Sequence, residues 1–135
     1  MKKLLYLLPV VTVLLLAGAG LLSAANAATT DDCQAKIDAL RAQTATVELF
    51  GHNAEMDRAG LLGKLDEASA KLAEGKLDDA IQKLTDFRTR VEELAAAPKP
   101  KIGADDAAAL IAGADDAIAC IQSLQASTTT TTAAA

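Results

Sequence analysis

Beyond residue 28 the apolar positions recur at intervals of three and four, the period of helices that bury one face. Cys33, Ile37, Leu40, Thr44 and Val47 form a first stripe. Thr30-Asp31-Asp32 offers a cap and an acidic first turn, and Gly51 follows the last apolar position, which predicts a helix from about 31 to 50. A second stripe is Met56, Leu61, Leu65, Ala68 and Leu72, with Asn53 placed to cap it and Gly75 placed where a left-handed residue ends a helix. The third reads Leu77, Ala80, Ile81, Leu84, Phe87, Val91 and Leu94. Pro98 and Pro100 stop it, since neither donates a helical hydrogen bond. A fourth helix starts after Gly103, with Asp105 and Asp106 in its first turn, and carries Leu110, Ile111, Ala114, Ile118, Ile121 and Leu124. No segment shows the period of two expected of a half-buried strand.

Four helices with short connections pack as antiparallel neighbours, so the pattern predicts an all-α, up-down-up-down four-helix bundle. In that topology the start of the first helix and the end of the fourth lie side by side, and Cys33 and Cys120 occupy those places. A disulfide between them closes most of the domain into one loop, worth roughly 4–5 kcal/mol in the chain-entropy picture. Two buried free thiols, or a metal site shared with His52, are the alternatives. Two sulfurs and one distant histidine lack the paired spacing of a zinc site.

The first 27 residues read differently. Met1-Lys2-Lys3 is a basic head, Leu4 to Leu22 an apolar core, and Ser23-Ala24-Ala25-Asn26-Ala27-Ala28 a small-residue stretch, the order of a secretory signal peptide. Cleavage is expected between Ala27 and Ala28, with the bond after Ala25 second. The competing reading is an uncleaved anchor, because the apolar run approaches the roughly 20 residues that span a bilayer. Cys33 follows Thr30-Asp31-Asp32 rather than small apolar residues, so it lacks a lipid-attachment setting. The expected organisation is a leader over 1–27, a bundle over 28–125 and a disordered Thr/Ala-rich tail over 126–135. Export places the bundle outside the cytoplasm, secreted or in the periplasm or cell envelope, where a disulfide persists. No stable membrane span is expected after processing.

Cleavage takes 27 of the 135 residues and leaves 108, enough for one modest domain. Losing Lys2 and Lys3 moves the formal charge from −5 to −7, which disfavours nucleic acid and anionic lipid as partners. Outside the leader the aromatic residues are Phe50 and Phe87 alone, with no Trp, so no stacking platform for sugars or bases is present.

From Asn53 to Ile121 the chain resembles a known module. The segments Arg58-Ala59-Gly60-Leu61-Leu62-Gly63-Lys64-Leu65-Asp66-Glu67-Ala68, Lys71-Leu72-Ala73-Glu74-Gly75-Lys76 and Ala80-Ile81-Gln82-Lys83-Leu84-Thr85-Asp86-Phe87, followed by Val91, are similar to the FIMAH module. Ala109-Leu110-Ile111-Ala112-Gly113-Ala114 and Ala117-Ile118 are similar to its last helix. That family is a small helical domain appended to secreted bacterial proteins, often hydrolases. The resemblance implies a helical bundle and export and transfers no catalytic residue. Core spacing alone would also produce these residues, and Ala68 to Phe87 is similar to one tetratricopeptide hairpin. A single such hairpin cannot bury its own face.

Candidate chemistry is sparse. His52, the only histidine, lies in the Gly51-His52-Asn53 corner and reads as a solvated turn residue. There is no nucleophile and base constellation, no phosphate loop and, with the cysteines joined, no free thiol. Asp31-Asp32, Asp78-Asp79 and Asp105-Asp106 fall at helix starts, where they cap and offset the helix dipole. Asp115-Asp116 belongs to the repeat of Gly103-Ala-Asp-Asp-Ala at Gly113, but ten residues rotate a helix by about 280°, so the copies share no face. Lys64, Glu67, Lys71 and Glu74 read as a solvated face of spaced pairs. The Thr run after Ser127 has nothing to bury and reads as disorder, with O-linked sugar or a cell-wall spacer as its functional alternatives. The sequence therefore predicts no catalytic site, cofactor or metal. It predicts a noncatalytic interaction or accessory module for an exported protein or envelope polymer, or else a spacer or carrier without a specific ligand.

Overall fold

The computed structural model describes residues 28–134, with side chains as far as Ser127. The expected leader over 1–27, with its expected cleavage residue Ala27, lies outside the described residues; Ala28 is the first within them. Four helices follow in order: α1 Thr30–Thr46, α2 Ala54–Ala73, α3 Leu77–Ala96 and α4 Ala104–Ala134. Each packs on its two neighbours around a ring, with no close backbone approach across either diagonal.

The pairings fix the directions. Along the α1–α4 seam Cys33 joins Cys120, Lys36 pairs with Asp116 at 2.7 Å and Leu40 lies over Gly113, so partner numbers fall as α1 rises. Gln34 meets Ser69, Arg41 meets Asp66 and Arg58 donates to the Val47 carbonyl, reversing α2 against α1 in the same way. Lys83–Glu67 at 2.6 Å with Arg90–Asp57 at 2.8 Å does so for α2 and α3, and Gln125–Asp78 with Arg88–Asp115 for α3 and α4. The bundle is up-down-up-down, and the disulfide, with Cα atoms 5.5 Å apart, closes α1 onto α4.

The core runs through the predicted stripes. Phe87 is its largest fully buried side chain, in one cluster with the buried leucines 61, 65, 72, 84 and 110. Thr44 is completely buried because its hydroxyl donates to the Leu40 carbonyl at 2.7 Å, which removes the cost of an unpaired polar group. Helix α1 starts one residue earlier than expected: Thr29 and Asp32 form a reciprocal capping box. It also ends earlier, at Thr46 rather than near 50. The β-branched Thr44, Thr46 and Val47 weaken helical continuation, and Val47 turns extended at φ −63°, ψ 143° while keeping its place in the core. Asn53 stands at the start of α2 but makes no side-chain cap.

Two glycine environments predict opposite mutational signs. At the α2–α3 reversal Gly75 has φ +77°, its N–H bonds to the Leu72 carbonyl and that of Lys76 bonds to Lys71, a Schellman closure. Gly60 and Gly63 are ordinary helical residues within α2, where an added Cβ would meet nothing within 4 Å. Gly75→Ala is expected to cost about 1–2 kcal/mol from left-handed strain, whereas Gly60→Ala and Gly63→Ala are each expected to add about 0.5–1 kcal/mol. Urea unfolding midpoints check this, and a destabilised Gly60→Ala would contradict the open α2 surface.

Helix α4 departs from the expected boundary. It continues through the Thr run to Ala134, past the boundary expected at 126. Extending an existing helix adds a hydrogen bond for each residue fixed, and no Gly or Pro follows Gly113 to interrupt it. Over Ala104–Ser127 the helix is long and apolar enough to cross a membrane by length and composition. In the bundle its Ala107, Leu110, Ala114, Ala117 and Ile121 are buried, as in the core helix of a helical domain.

Candidate interaction surface

The two ends of the bundle differ in kind. The disulfide, the Gly75 reversal and the point where Ala28 enters lie at one end. The α1–α2 and α3–α4 connections meet at the other. There Leu49 and Ile102, both buried, form an isolated antiparallel bridge, and the Phe50 N–H donates to the Lys101 carbonyl at 2.8 Å. The Lys101 N–H in turn donates to Leu94 at 2.9 Å. The connections are thereby sewn to each other and to α3. Neither residue of the bridge belongs to a predicted helical stripe: Leu49 stands between Val47 and Phe50 in the first connection, and Ile102 is the one large apolar residue of the second.

Beside this bridge sits a buried carboxylate. Asp57 is 8% exposed, and Arg90 reaches one oxygen at 2.8 Å while the Lys101 ammonium reaches the other at 3.4 Å. Arg90 also donates to Glu93, and Glu93 first, then Asp57, raises the pKa of its guanidinium above the ordinary value. Arg58 donates to the Val47 carbonyl at 2.8 Å and pairs with Glu55. The expectation that Met56 faces the core is corrected here: Met56 is 73% exposed and Asp57 takes the inward position. The spacing explains it. From 57 the inward series 61, 65, 68 and 72 steps by three or four, whereas 56 to 61 is a step of five, about 140° off the face.

The large apolar side chains exposed among the described residues are Phe50, at 46%, and Met56. Both belong to this end of the bundle, on a framework held by the bridge and the Asp57 cluster. His52 lies between them in the turn, exposed. Gly51, at φ +97°, lets the chain reverse there.

The remaining surface is charged and mostly paired. The Lys83 ammonium, hydrogen-bonded to Glu67, holds that carboxyl below its ordinary pKa and is itself raised; the Lys76 ammonium, hydrogen-bonded to Glu74, holds the Glu74 carboxyl below its ordinary pKa. Asp31-Asp32, Asp78-Asp79 and Asp105-Asp106 occupy first turns, and Asp115 and Asp116 point to different helices, toward Arg88 and Lys36. Among the described residues no three His, Cys, Asp or Glu side chains converge on a metal-sized site. An open groove of about 730 Å³ runs along the α1–α4 seam, lined by Lys36, Ala39, Gln43, Gly113, Asp116 and Cys120. Comparison of the chain with family models, curated proteins and solved structures finds no match.

Proposed function

We propose that this chain is an exported, noncatalytic interaction module that recognises another exported protein or an envelope polymer through the end of the bundle carrying Phe50 and Met56. The observation that carries the reading is the placement of both exposed large apolar side chains on the one end whose connections are fixed by a bridge and a buried ion cluster. Anchoring residues on a rigid framework lose little conformational entropy when they bind. The disulfide is compatible with an oxidising, exported location. The resemblance to the FIMAH module supports the same reading, since that module accompanies secreted proteins and is helical.

The test is quantitative binding of the purified processed domain to partners recovered from the secreted and envelope fraction. Replacing Phe50 and Met56 together by Ser is expected to weaken a saturable interaction at least tenfold, because large central side chains carry most interface energy. Asp38→Ala, on the exposed face of α1, serves as the control and is expected to leave it unchanged. Equal binding by the wild-type domain and the Phe50/Met56 variant would remove the loop end from recognition. Absence of any saturable partner would favour the spacer or carrier role.

A further inference from the structure

The Cys33–Cys120 bond joins two residues of unequal exposure. Cys33 has no exposed surface, whereas Cys120 is 8% exposed and forms part of the wall of the α1–α4 groove. The groove wall at Cys120 is therefore the exposed side of the bond.

The helix that this bond secures is also the least embedded of the four. Helix α1 contributes Cys33, Ile37, Leu40 and Thr44 to the interior, so one of its four buried helical positions is the half-cystine itself. Against α4 it meets small residues, with Leu40 lying over Gly113, and its cross-helix ion pairs, Lys36–Asp116 and Arg41–Asp66, are solvent-exposed. Helix α3, by contrast, buries Ala80, Leu84, Phe87, Val91 and Leu94 and packs extensively on both α2 and α4. At its far end α1 passes into the Leu49–Ile102 bridge and Gly51, which tie the chain down beyond the helix.

The geometry points to a redox latch: a dithiol reductant entering the α1–α4 groove attacks Cys120, and opening the bond frees α1 to swing away about its bridged end while α2–α4 stay packed. In the first step a thiolate of the dithiol bonds to the Cys120 sulfur, and Cys33 leaves with the electron pair and takes up a proton. In the second, the remaining thiol of the dithiol attacks its own partner sulfur and expels Cys120, which is protonated. The protein gains two electrons and two protons, and the reductant becomes a disulfide. Opening uncovers the apolar flanks of α2 and α4 that α1 covers in the closed form. This device is independent of the recognition role proposed for the loop end.

Hydrogen exchange of the processed protein, oxidised and then reduced with dithiothreitol, reads the latch directly. Reduction is expected to leave residues 33–46 exchanging at least tenfold faster than residues 84–94 of α3, whose own acceleration follows the fall in global stability. The Cys33→Ser/Cys120→Ser variant is expected to match the reduced protein. Equal acceleration in all four helices, or none in α1, would overturn the latch. The attack site has its own readout: brief reaction with glutathione, acid quench, alkylation and peptide mapping should place glutathione on Cys120 and the alkyl label on Cys33. The reverse distribution would overturn the assigned entry point.

Discussion

Replacing Cys33 and Cys120 together by Ser is expected to lower unfolding stability by about 2–5 kcal/mol, with the far-ultraviolet helical signal largely retained. The loss comes mainly from the unfolded chain, which regains the freedom of a long closed loop. The apolar stripes that specify the bundle are untouched apart from the two sulfurs. Such a loss is large beside the roughly 5–15 kcal/mol of a typical domain, so the reduced protein is expected to melt well below the oxidised one. Urea unfolding followed by circular dichroism checks both parts. An unchanged midpoint would mean that the bond contributes nothing, and a collapsed helical signal in water would mean that the stripes alone do not specify the fold.

Phe87→Ala is expected to cost about 3–5 kcal/mol. Phe87 is fully buried and is the largest side chain of an interior that, among the described residues, buries no other aromatic group to fill the space it leaves. It sits on α3, the helix with the most extensive contacts on both sides, which limits collapse into the cavity. Replacement by Leu keeps most of the volume and is expected to cost less. A loss below about 1 kcal/mol for the Ala variant would contradict the packed interior at this position.

What the chain spelled out and what it concealed follow from the reach of each signal. Cys33, Ile37, Leu40, Thr44 and Val47 were legible as one buried stripe because helical spacing is a local property, and all five are buried. The meeting of Cys33 with Cys120 was legible through topology, since an even number of antiparallel helices returns the chain to its starting end. Met56 was misplaced because an apolar residue near a helix start looks like a core position. The inward place belongs to Asp57, whose burial depends on Arg90 and Lys101, 33 and 44 residues away. No local pattern announces a carboxylate neutralised from that distance. The Leu49–Ile102 bridge was hidden for the same reason, and it lies on the extended path that follows Thr46. The loop end was thus the least legible part of the fold, although Phe50 stood out as one of two aromatic residues beyond the leader.

Non-reducing mass analysis of the protein recovered from the secreted or envelope fraction tests the account of an exported, disulfide-closed module most directly. A chain beginning at Ala28, with no free thiol and with its Cys33 and Cys120 tryptic peptides joined until reduction, is the predicted result. Two free thiols, or an intact chain from Met1 retained in the membrane, would contradict it.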